Sequence, residues 1–177
     1  MSKTTNPRTG RKAKRERDKS ASNSRVKAQR QSDISAATHS EEETFELARQ
    51  LAARFDGREV VLLSGELGAG KTIFAKGIAA GLGMKDWALV CSPSFTIMNI
   101  YEARCPIYHF DLYRLEKGGE IQDLGCEDYL DRGVVIVEWG ERIPFDLEAI
   151  RVDIRKGRGD ERRIKISMPL LWSFLHL

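Results

Sequence analysis

No stretch of this 177-residue chain approaches the ~18 consecutive apolar residues of a membrane-spanning helix, so nothing in it reads as a bilayer span. Cysteine is scarce: Cys91, Cys105 and Cys126 are odd in number and form no Cys-x-x-Cys pair, which argues against a disulfide framework and against a structural zinc site. Before Ile34 there are almost no apolar side chains, hence neither the apolar centre of a secretory signal nor the amphipathic face of a transit peptide. These absences point to a reducing cytoplasm.

What is present is unevenly distributed. The first forty residues hold eleven Lys or Arg against three acids, and the remainder eighteen against twenty-three, so the net charge of +3 is a segment of +8 joined to a body of −5. The basic segment cannot bury enough surface to offset its ordering entropy, and residues 1–37 are expected to be a disordered tail. Its charge is compatible with electrostatic contact to RNA and equally with a plain solvated extension. Residues 38–168 carry the apolar patterning of one domain, and 169–177 read as an apolar C-terminal extension too short for a membrane.

Ser40, with Glu43 three residues later and Phe45, Leu47, Ala48, Leu51 and Ala52 following, predicts a capping box and an amphipathic helix ending near Asp56-Gly57. Val60-Val61-Leu62-Leu63 then predicts a strand buried on both faces. It runs into Gly65-Glu66-Leu67-Gly68-Ala69-Gly70-Lys71-Thr72, a Gly-x4-Gly-Lys-Thr loop, and Ile73, Phe74, Gly77, Ile78 and Leu82 continue as a helix. Strand, loop and helix stand in the order a phosphate-binding loop requires. Glycines at 65, 68 and 70 let backbone N–H groups turn inward around phosphate oxygens, and the helix beginning near Lys71 aims its positive dipole end at the same place. Lys71 can reach the β- and γ-phosphates, and the Thr72 hydroxyl can ligate Mg²⁺. ATP with Mg²⁺ is the ligand this loop predicts.

Downstream, 94–101 and 106–110 predict a strand hairpin, the second strand ending at Asp111, and Val134–Val137 predicts a buried strand ending at Glu138. A carboxylate at the carboxyl end of such a strand is where an α/β nucleotide-binding sheet places its metal- or water-handling acid, and the chain offers two. The stretch 120–130 carries a helical stripe suited to covering a sheet face, and 150–154 with 163–167 alternate as an antiparallel hairpin.

Taken together, Ser64 to Thr72, Ser92-Pro93-Ser94-Phe95, His109-Phe110-Asp111-Leu112-Tyr113-Arg114 and Val137-Glu138-Trp139 resemble the TsaE family of tRNA threonylcarbamoyladenosine biosynthesis, over roughly residues 38–166. The resemblance implies an α/β P-loop NTPase domain with a mixed central sheet flanked by helices and ending in the antiparallel hairpin. It also implies a cytoplasmic ATPase, weak alone, that acts with TsaD and TsaB proteins, and with tRNA indirectly. By position, Leu67, Gly68, Ala69, Gly70, Lys71 and Thr72 would hold the phosphates, Thr72 and Glu138 would serve Mg²⁺, and Asp111 would orient or activate the attacking water. Ser94 would belong to a switch over the γ-phosphate and Glu41 would lie by the nucleoside. The family usually has threonine where Ser94 stands; the hydroxyl survives. Sequence leaves the division of metal and catalytic roles between Asp111 and Glu138 open.

A small-molecule or nucleotide kinase is the competing reading, because such enzymes share the phosphate cradle. They generally close an arginine-bearing lid over the acceptor, whereas Arg151, Arg155, Arg158, Arg162 and Arg163 lie in or beside the predicted hairpin. A GTPase switch would need an Asn-Lys-x-Asp segment, which is missing. A binding module without turnover also stays open.

Overall fold

A computed structural model describes residues 31–115, 121 and 125–169. Apart from Gln31, they all fall in one compact unit. Most of the basic tail, the greater part of the 116–124 segment and the apolar C-terminal stretch from Leu170 onward lie outside the described residues.

Seven strands form one sheet: β1 (Gln31–Thr38), β2 (Val60–Ser64), β3 (Met98–Glu102), β4 (Pro106–Asp111), β5 (Val134–Glu138), β6 (Ile150–Lys156) and β7 (Arg162–Pro169), in the order β1-β7-β6-β2-β5-β4-β3. β2 pairs in parallel with both β5 and β6, and β4 in parallel with β5. β3 joins β4, and β7 joins β6, as antiparallel neighbours. The mixed sheet implied by the resemblance and the terminal hairpin predicted from its alternation are both present.

The apolar run of β2 is buried on both faces because a central parallel strand has no wet side. Val61 and Leu63 face one core with Ile107, Val134, Ile136 and Val152, beneath helices α1 (Glu41–Ala52) and α2 (Lys71–Gly81). Val60 and Leu62 face a second core with Phe110, Val135 and Val137, covered by Ile121, Cys126, Tyr129 and Leu130. The helical stripe expected over 120–130 appears, among the described residues, as a 3-10 turn at Cys126–Tyr129, and Ile121 is fully buried against the sheet.

α1 opens as expected, with the Ser40 hydroxyl accepting the Glu43 N–H at 3.1 Å, while the Glu43 carboxylate reaches back to the His39 N–H at 2.7 Å. The helix closes at Ala52, earlier than Asp56-Gly57, because Phe55 and Arg54 turn back onto the Ala52 and Leu51 carbonyls and Arg104 caps the carbonyls of Ala52 and Phe55. β3 likewise starts at Met98, not Ser94: the Ile97 N–H folds back to the Pro93 carbonyl at 2.6 Å and Ile97 adopts φ 69°, so residues 93–97 form a turn.

One boundary needs correction. The tail read as disordered through residue 37 ends instead in β1, whose Asp33 carboxylate accepts from Ser167 Oγ at 2.6 Å and pairs with Lys165 Nζ at 2.8 Å on β7. Composition predicts disorder from a shortage of apolar side chains, but an edge strand is held by backbone pairing and can leave Ile34 about half exposed.

The two helices approach unusually closely where α2 carries glycine. A Cβ at Gly77 would run into the Phe45 carbonyl oxygen and lie 2.6 Å from Ala48 Cβ, and one at Gly81 would meet the Arg49 carbonyl. This contact presses the helix that begins at Lys71 onto α1 and the sheet, fixing where its N-terminus points. In an exposed helix Gly→Ala gains about 1 kcal/mol, whereas overpacking a tight contact costs about 1–3 kcal/mol. Gly77→Ala is therefore expected to destabilise the protein by up to about 2 kcal/mol in urea unfolding; a stabilised variant would show that the helices are free to separate.

Candidate functional site

Because β2, β4 and β5 are parallel, their carboxyl ends open on one side of the sheet. Leu63, Glu138 and Asp111 stand level across the three strands, Leu63 opposite Glu138 and Glu138 opposite Asp111. The loop that leaves β2 at Ser64 and enters α2 at Lys71 crosses the same rim. A cavity of about 350 Å³ there is lined by Leu67, Gly68, Gly70, Lys71, Thr72, Ser94, Asp111 and Glu138, with Glu41, Ser92 and Trp139. Each sequence-predicted site residue reaches this rim; Ala69, fully buried, contributes through its backbone beside a neighbouring hollow of about 270 Å³ that Glu41 and Arg162 also line.

The loop's geometry follows from its glycines. Gly68 and Gly70 hold φ of 73° and 110°, a left-handed backbone that side chains rarely adopt, and Gly70 is the residue that caps α2. Lys71 is 5% exposed, and its ammonium donates to the carbonyls of Gly65 at 2.7 Å and Glu66 at 3.0 Å while lying 3.8 Å from the centre of the Trp139 ring. Burial pushes its pKa below the usual lysine value, against the opposing pull of Glu138, Glu141 and Asp111. A dry cation held by neutral carbonyls is a ready partner for a polyanion.

The two acids are buried and differently engaged. Thr72 Oγ1 donates to Glu138 Oε1 at 2.9 Å, and His109 Nε2 lies 3.1 Å from the same oxygen. Asp111 accepts from Ser92 Oγ on one oxygen and from the Tyr113 N–H at 2.8 Å on the other. Glu138 is thus tied to the phosphate loop, and Asp111 to the loop carrying Ser94. Trp139, next in sequence, takes a left-handed φ of 61°, which a bulky side chain adopts at a cost of about 1–3 kcal/mol. That backbone turn lays its ring under Lys71, beside Tyr113 at 5.2 Å and with the Arg142 guanidinium 5.2 Å away. Arg142 in turn donates to the carbonyls of Leu112, Tyr113 and Leu115, fixing the chain that leaves β4.

Several contributors carry no signal strong enough for sequence reasoning to have given them a role. Lys156, at the end of β6, donates to the Leu67 carbonyl at 2.8 Å, and Arg162, at the start of β7, to the Ala69 carbonyl at 3.0 Å. The terminal hairpin therefore clamps the back of the phosphate loop from nearly ninety residues away in sequence. His109, Ser92 and Trp139 stand inside motifs that were legible, yet only the folded register brings them onto the acids and the lysine. Asp111 and Glu138 also differ in their neighbours, the distinction sequence leaves open.

For a metal, the site offers Thr72 and Glu138, two hard oxygen donors 2.9 Å apart beside the phosphate loop. Among the described residues no group of three or more His, Cys, Asp or Glu could hold an ion. That donor set fits Mg²⁺, which usually takes one or two protein oxygens and completes its shell with substrate phosphates and water. Also among the described residues, no helix is long and apolar enough to cross a membrane.

Comparison with known proteins gives a consistent picture. The family model described as "Threonylcarbamoyl adenosine biosynthesis protein TsaE" matches residues 38–164. A Bacillus subtilis protein named "tRNA threonylcarbamoyladenosine biosynthesis protein TsaE" is 42% identical over 127 residues, covering 70% of this chain and 78% of that one. A protein of the same name from Aquifex aeolicus is 38% identical over 125 residues, covering 67% and 90%. The crystal structure of Bacillus subtilis YdiB superposes with a TM-score of 0.67 at 33% identity, covering 82% of this chain and 92% of that one.

The clamp generates a prediction that needs no ligand. Replacing both Lys156 and Arg162 by alanine removes two charge-assisted bonds from the loop's carbonyls, so the Ala69 amide, which donates to the Glu66 carbonyl at 3.1 Å, should exchange its hydrogen about tenfold faster. Exchange measured by mass spectrometry at the wild-type rate would show that the hairpin does not restrain the loop.

Proposed function

This chain belongs to the TsaE family, and from that premise we propose that it is a Mg²⁺-dependent ATPase serving the threonylcarbamoyladenosine modification of adenosine 37 in tRNAs that read codons beginning with A. It works with a TsaD-like and a TsaB-like protein, the former carrying out the transfer. The observation that carries this reading is the convergence of the phosphate loop, Thr72, Asp111 and Glu138 on one cavity.

In this reading the N–H groups of the loop and the N-terminus of α2 face the β- and γ-phosphates, and Lys71 leaves the Gly65 and Glu66 carbonyls to meet them. Thr72 and Glu138 hold Mg²⁺, whose charge, when the ion is bound, offsets that of the phosphates. Asp111 orients the attacking water and accepts its proton, and Ser92, which donates to the same carboxylate, couples that acid to the loop bearing Ser94. Glu41, at the first turn of α1 and in both hollows, lies where the nucleoside leaves the phosphates. The +8 of the first forty residues would add a salt-dependent attraction for tRNA phosphates.

The kinase alternative loses support from the hairpin arginines. Arg151 donates to Leu147, Arg155 to Asp153, Arg162 to Ala69 and Arg163 to Glu161, all from or beside paired strands of the sheet, with no helical lid among the described residues.

Lys71→Ala should weaken ATP binding by about 100-fold or more, since it removes the charge-assisted bonds to two phosphates; wild-type affinity by titration calorimetry would refute the phosphate-loop assignment. Asp111→Asn and Glu138→Gln should each keep metal-free nucleotide binding, measured in EDTA, while losing most ATP hydrolysis measured with the partner proteins. Raised Mg²⁺ should restore the Glu138 variant more than the Asp111 variant, and superimposable Mg²⁺ titrations would sink that division of roles. Incubation with a panel of acceptors should release phosphate alone, because a phosphorylated acceptor would make the protein a kinase.

A further inference from the structure

His109 is fully buried in β4, between Tyr108 and Phe110 and two residues before Asp111. Parallel pairing sets Asp111 opposite Glu138 and His109 opposite Ile136, so His109, Asp111, Ile136 and Glu138 share one face of the sheet. The imidazole sits one pleat deeper than the two acids, over the core built by Ile107, Val134, Ile136 and Phe74. From there its Nε2 reaches diagonally to Glu138 Oε1 at 3.1 Å. A carboxylate only accepts, so Nε2 carries the hydrogen of this bond. The other ring nitrogen, Nδ1, is buried and, among the described residues, has no hydrogen-bond partner.

That unpartnered nitrogen separates two explanations of the residue. Packing alone would favour an aliphatic or phenyl side chain here, because a buried polar atom without a partner disfavours the folded state and the neighbouring side chains are apolar. Among the described residues, the histidine's one hydrogen bond is with Glu138. Oε1 also receives the Thr72 hydroxyl, so these two hydrogen bonds of the carboxylate converge on one oxygen, one from the first turn of α2 and one from the sheet. Thr72 stands at the first turn of α2, where its oxygen is also wanted by the metal, whereas His109 is fixed by strand pairing on both sides.

We propose that His109 is a positioning residue for the metal-side acid: its Nε2–H holds Glu138 Oε1 from beneath the site and keeps the carboxylate in the orientation from which, with Thr72, it serves Mg²⁺. The inference rests on the reading of Glu138 given above. Hydrogen-bonded supports of this kind typically change metal affinity by about 10- to 100-fold when removed.

The test compares wild type, His109→Leu and His109→Gln, titrated by calorimetry with a non-hydrolysable ATP analogue in Mg²⁺ and in EDTA, with thermal melting of the nucleotide-free proteins alongside. His109→Leu should melt at or above the wild-type temperature and bind the analogue normally in EDTA, yet lose about 10- to 100-fold of the affinity that Mg²⁺ adds. His109→Gln, whose amide can donate from nearly the same place, should recover most of that increment. If the leucine variant does not fold, His109→Asn, too short to span the gap, replaces it against His109→Gln. A leucine or asparagine variant that keeps the full Mg²⁺ increment overturns the proposal. A wild-type protein that gains no affinity from Mg²⁺ overturns the metal reading of Glu138, and this inference with it.

Discussion

Parallel pairing of β2 with β5 and of β5 with β4 places the carboxyl ends of three strands side by side, and every functional group at the site depends on that register. Side chains alternate with a period of two, so a slip of one residue would turn Asp111 or Glu138 into the opposite core and expose a valine or phenylalanine in its place. Because β2 and β5 are apolar on both faces, the cost of such a slip falls where the runs stop, as it would drive a carboxylate into an apolar core. The geometry of the site is therefore set by where the buried apolar runs end. The helix contact at Gly77 and Gly81 adds the remaining coordinate, since it sets how deep the N-terminus of α2 lies against the sheet.

Lys71, Asp111 and Glu138 are all nearly excluded from water, and burying charges without a ligand is costly unless each is hydrogen-bonded. The protein answers with neutral donors and acceptors: loop carbonyls and a tryptophan face for Lys71, hydroxyls of Thr72 and Ser92 for the acids. None of these partners neutralises the charge it contacts. The buried charges of the site are consequently solvated by protein dipoles.

The phosphate loop itself is held from outside by Lys156 and Arg162, so the terminal hairpin is part of the site's frame. β1 extends the same sheet at its outer edge and ties the start of the folded unit to β7. Residues near both ends of the described chain thus brace the sheet that carries the loop.

Sequence by itself determined the phosphate-binding loop and most of the scaffold. A Gly-x4-Gly-Lys-Thr run between a doubly apolar strand and an amphipathic helix admits few other arrangements, because local backbone sterics, helix polarity and burial period all act within a few residues of one another. Acids at the ends of β4 and β5 were legible for the same reason, being marked by where an apolar run stops. Tertiary structure alone decided what crosses the sheet: the strand order, Glu138 receiving Thr72 and His109, the hairpin's grip on Leu67 and Ala69, and β1 at the edge. Those contacts join residues up to 134 positions apart, and hydrogen bonds over such separations leave no periodicity in the chain. They arise only once hydrophobic burial has set the register, and so they could be read only from the fold.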